Sequence, residues 1–279
     1  MNLGEITDFI GFCIEEGGGN YVARGTAISP ELASMKMFGA FLLGVASPDD
    51  GLFERFRTPG VVGPEFMLPR GWLLEARSVI SVFFHVTPRV ERSNAADRAW
   101  PSSEWLHARI EGQSFISATM ASLKEVLEKK GYPTAIPSND PRFATGNFTS
   151  NWSERHVAYA CGLGTFGLSK GLITRLGMAG RLGSVVTALD LPPSRRDYSG
   201  VFDWCPMCGA CAANCPVGAI SLKDGKNHEI CSNFLDKTLE KHSPRYGCGK
   251  CQVSTPCQNG APGLGNSAGK LIQRFPRPG

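Results

Sequence analysis

Several things that nucleotide-handling or membrane proteins need are missing from this chain. No G-x-x-x-x-G-K-[ST] occurs, which excludes a P-loop nucleotide site. None of the five histidines has an Asp two residues before it, so the D-x-H-x-x-G corrinoid motif of methyltransferases is also absent. There is no Lys/Arg run of the kind that holds a phosphate backbone, and the net charge is only +4 over 279 residues. Nucleic acid is therefore not an expected partner. The longest uncharged apolar run near the start, Met37 to Pro48, is too short to span a bilayer. No basic residue precedes Arg24 and no twin-arginine pair opens the chain, which reads as a cytoplasmic protein without membrane attachment. With 42% hydrophobic and 19% charged residues, the composition is that of an ordered globular chain of one large or two modest domains.

What the chain has in excess is cysteine: ten, in a sequence that reads as unexported, where metal ligation is a better account than disulfides. Cys205-Pro-Met-Cys208-Gly-Ala-Cys211-Ala-Ala-Asn-Cys215-Pro216 is C-x2-C-x2-C-x3-C-P, the spacing of a bacterial ferredoxin [4Fe–4S] site. Zinc is the alternative, but structural zinc sites favour paired C-x2-C knuckles over three successive short steps. In two-cluster ferredoxins the fourth cysteine ligates the other cluster. Applied here, one cluster takes Cys205, Cys208, Cys211 and Cys257, and the other takes Cys215, Cys231, Cys248 and Cys251. The second half departs from the simple pattern, because Cys231 and Cys248 are far apart and Pro256 precedes Cys257 rather than following it. Anaerobic conditions would suit such clusters. Cys13 lies on the apolar stripe of a first helix, Asn2 to Glu16, and reads as a core residue rather than a ligand.

Strands are expected at Tyr21 to Ile28, Met37 to Ala46, and Ser78 to Val86, the last closed by Pro88. A short helix is expected at Asp49 to Arg57, a long one from Glu104 to Lys130, and a third capped by Ser153 and ended by Gly162. Strand-like runs follow at Gly171 to Thr174 and Ser184 to Leu189, joined by a turn between Gly177 and Gly183. Gly162-Leu-Gly164-Thr-Phe-Gly167 matches G-x-G-x-x-G. A helix precedes it and a strand follows, the reverse of a dinucleotide fingerprint. It is either a tight connection or a place where backbone approaches a large flat cofactor.

The runs HVAYACGLGTFGLSKGLIT and GMAGRLGSVVTALDLP, followed by the cysteine motif, resemble the core shared by epoxyqueuosine reductases and reductive dehalogenases over about residues 70–260. The resemblance implies an α+β fold, with a nitroreductase-like domain over residues 1–195 that holds base-off cobalamin. A ferredoxin-like two-cluster [4Fe–4S] domain over 196–260 and a Gly/Pro-rich tail over 261–279 would follow. The cofactor-binding candidates are then Gly162, Gly164, Gly167, Gly183 and Ser114. Ser114 matches the position where the resemblance puts the catalytic aspartate of epoxyqueuosine reductases, in Gly112-Gln113-Ser114-Phe115. Arg181 falls where reductive dehalogenases have a basic residue, and His107 and His156 are candidate proton donors. No tyrosine lies between Glu104 and Gly131 to match the dehalogenase tyrosine.

Three functions fit these features. One is a corrinoid-dependent reductase acting on a small substrate. The second is an electron-transfer protein that docks to a partner reductase, and the third is a reductase with flavin in place of cobalamin. A ferredoxin or flavodoxin is the expected electron donor.

Overall fold

A computed structural model describes residues 1–264 of the chain; residues 265–279, most of the expected tail, lie outside the described residues. Helix α1 (Leu3–Glu15) starts at a capping box in which the Asn2 side chain accepts from the Glu5 amide at 3.0 Å and the Glu5 carboxylate accepts from the Asn2 amide at 2.7 Å. Its buried stripe is Ile6, Ile10 and Ile14, and Cys13 packs at the edge of the same core. Strand β1 (Phe38–Ala46) leads through α2 (Gly51–Phe56) and α3 (Pro69–Trp72) to β2 (Ser78–Val86). Helices α4 (Pro88–Ala96) and α5 (Ser103–Lys129), strands β3 (Thr134–Ala135), β4 (Thr145–Gly146) and β5 (Thr149–Ser150), and helix α6 (Glu154–Ala160) follow. A hairpin of β6 (Gly164–Phe166) and β7 (Leu172–Thr174) precedes the long β8 (Gly180–Thr187). The last part holds α7 (Ala210–Ala213), the β9 (Ile220–Ser221) and β10 (Gly225–Lys226) hairpin, and α8 (His228–His242).

The central sheet has the order β1-β2-β8-β3 with every pairing antiparallel. β2 explains why its sequence is apolar without alternation. Ile80, Val82 and Phe84 enter one core with α1 and α5, while Val79 and Phe83 enter a second core with Trp152 and the buried face of α6. A strand covered on both faces has no solvent side to leave polar. Each of these side chains contributes about 1.5–3 kcal/mol by full burial, so β2 is the element that joins the two layers.

Three expectations need correction. Residues 21–28 are not a strand: only Tyr21 bridges, to Lys36, and turns closed by Thr26 and Ala27 onto Ala23 break the run. The Asn20 side chain, bonded to the Ile14 and Phe38 carbonyls and to the Phe38 amide, fixes this irregular path instead. Pro88 does not merely close a strand but opens α4, where a missing amide and a preset φ suit the first helical turn. Ser153 precedes α6 without capping it, because its hydroxyl is bonded to His156 Nδ1 at 2.8 Å. The described start of the Gly/Pro-rich tail is a strap: the Cys257 carbonyl accepts from the Met178 amide, and Gly263 bonds to Trp204.

Candidate functional site

The eight cysteines from 205 to 257 divide between two cavities. Cys205, Cys208, Cys211 and Cys257 line the first, a small one walled by Leu168, Ile173, Met178 and prolines, with no charged residue. Cys215, Cys231, Cys248 and Cys251 line the second, of about 290 Å³. One helical turn makes the division: α7 carries Cys211 near its start, while Cys215, just past its end, belongs to the other cavity. In both Cys208-Gly209-Ala-Cys211 and Cys248-Gly249-Lys-Cys251 the glycine is left-handed, with φ of 75° and 69°. That conformation turns the chain so that both thiols face one cavity.

Among the described residues no three His, Cys, Asp or Glu groups converge where they could hold a single metal ion. The thiols instead stand around two voids, an arrangement that suits a multi-iron cube better than one tetrahedral ion. Burial and neighbouring thiols push Cys248 up to about 12 and Cys211 up to about 11. Burial, reinforced by nearby cysteines, also raises Cys251 and Cys257. Four thiolates this close repel one another, and a cationic metal core is what lets them ionise together.

A third cavity of about 700 Å³ lies beside them. Its walls are mostly apolar, from Phe56, Val62, Phe143, Tyr159, Phe166 and Phe202 among others, with Arg55, Arg155 and Lys170 and no carboxylate. Arg155 lines both this cavity and the second cysteine cavity. Arg155 is exposed as a residue, although protein crowds its guanidinium. Burial lowers its pKa, while Cys251 and Cys231 favour its charge. Its Nη1 donates to the Lys170 carbonyl at 2.9 Å.

The residues singled out in the sequence are scattered. His156 lines the 700 Å³ cavity; burial and then Arg155 push it down to about 4, so it is a neutral imidazole near pH 7. Arg181 lines the second cysteine cavity instead, held by its Nε donating to Gln113 Oε1 at 3.1 Å. His107 lines none of these cavities: it is fully buried, accepts from the Ile28 amide at Nε2 and meets Glu111 at Nδ1. Ser114 is exposed, bonded to the Ile110 carbonyl of its own helix, and lines none of the three cavities.

The glycines have steric tasks. Gly162, at φ 83°, ends α6 in a Schellman motif, with Leu163 bonded to Ala158 and Gly162 to Tyr159. A Cβ at Gly164 would lie 2.0 Å from the Ile173 carbonyl oxygen across the β6–β7 hairpin, and one at Gly183 would lie 2.7 Å from Ile116 on α5. Gly167 borders the first cysteine cavity.

The sequence reading missed Tyr159, Arg55, Arg155 and Lys170. Tyr159 lies one turn after His156 on α6, a spacing that puts both on one helix face and could have drawn attention to it. Burial raises its phenol pKa, opposed by Arg196 and Arg55, so it stays a protonated hydroxyl.

A family model described as "4Fe-4S binding domain" matches residues 201–221. Tetrachloroethene reductive dehalogenases of Desulfitobacterium hafniense and Dehalobacter restrictus are each 31% identical to this chain over 140 residues, 48% of this chain and 24% of the relative. The match thus spans about a quarter of the length of these curated relatives. An epoxyqueuosine reductase crystal structure aligns with a TM-score of 0.52 at 17% identity, covering 91% of this chain and 65% of that one. A catabolic reductive dehalogenase solved in complex with 3-bromo-4-hydroxybenzoic acid aligns with a TM-score of 0.52 at 15% identity, covering 83% and 31%. The 4Fe–4S match and these likenesses support an iron–sulfur chain whose mixed α/β fold is similar to that of epoxyqueuosine reductases and reductive dehalogenases. Among the described residues no helix is long and apolar enough to cross a membrane.

Proposed function

We propose that this chain is an iron–sulfur oxidoreductase in which two [4Fe–4S] clusters pass electrons to a corrinoid in the 700 Å³ cavity, for reductive chemistry on a small substrate. The observation that carries the reading is Arg155, one side chain in the walls of both the second cysteine cavity and the large apolar one. The ligand sets are Cys205, Cys208, Cys211 and Cys257 for one cluster and Cys215, Cys231, Cys248 and Cys251 for the other. In this reading residues 1–195 form a nitroreductase-like domain and residues 196–260 a ferredoxin-like one.

The large cavity suits a broad, flat, mainly apolar group with anionic substituents, since aromatic walls supply contact area and only cations supply charge. When bound, the clusters would carry single electrons and the corrinoid a strongly reducing metal centre. The protein's own part is to bind, to exclude water and to supply a proton. Phe56, Phe166 and Phe202 keep the cavity dry. The Tyr159 hydroxyl is the proton donor in the wall, with Arg55 near enough to stabilise the phenolate that remains. His156, already neutral, accepts or orients rather than donates as a cation.

Anaerobic reconstitution with iron and sulfide, followed by separate titrations with hydroxocobalamin and FMN under visible spectroscopy, tests this reading. About eight irons per chain and saturable corrinoid binding are expected, with binding lost in Phe166→Asp. Saturable FMN binding instead would select a flavin reductase, and binding of neither would select an electron carrier for a partner protein.

A further inference from the structure

The two cysteine cavities differ sharply in charge. The first has no charged residue in its wall. The second is lined by Arg109, Arg155, Arg181, Lys226 and Lys250 and by no Asp or Glu. Among the described residues none of these five cations forms an ion pair with a carboxylate. Where they have partners, these are neutral. Lys250 Nζ donates to the Asn94 carbonyl at 2.6 Å, Arg181 to the Gln113 amide oxygen, and Arg155 to the Lys170 carbonyl. Arg109 stands over the Tyr246 ring at 4.3 Å. No carboxylate ion pair offsets their positive charge, although Asp97 acts on Lys250 at longer range, and Arg109 Nε is buried without a hydrogen-bond partner.

Resting on the two-cluster reading above, we infer that the cluster in the Cys215–Cys231–Cys248–Cys251 cavity has the more positive midpoint potential of the two, set by Arg155 and Arg181, and holds the first electron that enters the chain. A cube ligated by four thiolates is anionic, and reduction adds one more negative charge. Fixed cations stabilise the reduced form more than the oxidised form, so they raise the potential. Solvent works the other way round: Cys208 is exposed, and water near the first cluster eases its reduction. Water reorients around one edge of that cavity, whereas five cations without a carboxylate ion pair among the described residues sit in the wall of the other, and the fixed charges dominate. An electron supplied singly by a ferredoxin- or flavodoxin-class donor therefore enters through the more exposed first cluster. It comes to rest on the second, next to Arg155 and the large cavity.

The test is an EPR-monitored redox titration of the reconstituted full chain. Iron and sulfide analysis with spin counting first establishes the number of clusters, and Cys208→Ser identifies the signal of the first. Two resolved potentials are expected, the more positive one surviving in Cys208→Ser. Arg181→Gln and Arg155→Gln should each move that potential negative and leave the other unchanged. Arg181→Lys, which keeps the charge, should restore it and also controls for misfolding, and Arg55→Gln, in the large cavity alone, should shift neither. Two clusters with the more positive potential assigned to the first, or with no selective shift in the arginine variants, would overturn this inference while leaving the two-cluster reading intact. A single cluster would overturn both.

Discussion

Arg245 Nε donates to Glu111 Oε1 at 2.9 Å, joining the turn before Cys248 to the middle of the long helix α5. The same guanidinium bonds the Thr26 carbonyl, and Glu111 reaches back to His107. Burial, the largest single influence, would raise the Glu111 carboxyl, but the Arg245 hydrogen bond and charge, a backbone hydrogen bond and His107 together outweigh it and the pKa is lowered, so the pair is ionised. Arg245→Ala strands a half-buried carboxylate and should cost roughly 2 kcal/mol of stability. It should also loosen the segment that carries Cys248 and Cys251. Denaturant unfolding together with iron analysis checks this. Unchanged stability with full iron content would show that the pair is not what seats the second cysteine pair.

Glu154 gives the chain a pH signature. Burial raises its carboxyl from 4.5 to about 7, with Ser184 and Ser138 opposing the shift. Their bonds to it are not of good geometry, and both carboxylate oxygens are buried without a partner at hydrogen-bonding distance and angle. The folded state therefore prefers the protonated acid. Its contribution is fully present below about pH 4.5 and is lost as pH rises through about 7, amounting to about 3 kcal/mol. Stability should fall between pH 5 and pH 8 in the native chain and fall less in Glu154→Gln. Parallel pH dependences in the two would assign the slope to another group.

Gly164→Ala tests the hairpin. A methyl 2.0 Å from the Ile173 carbonyl forces β6 and β7 apart, and destabilisation of about 1–3 kcal/mol is expected whether or not a cofactor is present. Of the two readings the sequence left open, this favours the tight connection over the approach to a flat cofactor. Thermal unfolding of the variant without cofactor decides. A wild-type Tm together with weakened corrinoid binding would return the glycine to the cofactor site.

The chain should not reduce epoxyqueuosine in tRNA. Ser114, where the resemblance puts the catalytic aspartate, carries no carboxyl group and is exposed, away from the cavities. The stronger ground is that no carboxylate lines the large cavity, and a phenol held above its usual range is a poor acid for a leaving oxygen. Incubation of the reconstituted chain with epoxyqueuosine-containing tRNA and a strong reductant, followed by mass spectrometry for queuosine, is the check. Turnover would place a usable acid in the cavity wall.

The 4Fe–4S segment at residues 201–221 was legible because ligand spacing is local: three cysteines within one turn-rich segment announce themselves. β1, β2 and α5 were legible for a related reason, as apolar runs and cap residues act over a few positions. The large cavity was not legible. Arg55, Phe143, Tyr159, Phe202 and His228 come from separate segments, and none carries a local signal of being brought together. Arg181 was noticed as a cation in the right stretch, but nothing local in the sequence showed that it lines the second cysteine cavity. Side chains on β8 alternate between two faces, and only the pairing with β2 decides which cavity each one meets.

The placement of Cys215 has a consequence for how the protein is made. It follows directly on the segment that supplies three walls of the first cavity, yet its thiol belongs to the second, while the first waits for Cys257. In the proposed two-cluster reading, neither cage can close on a growing chain until Cys248, Cys251 and Cys257 have been made. A chain cut before residue 248 would retain neither cage, not one of two, so the interlacing couples the loading of either cluster to synthesis of the one segment that carries all three.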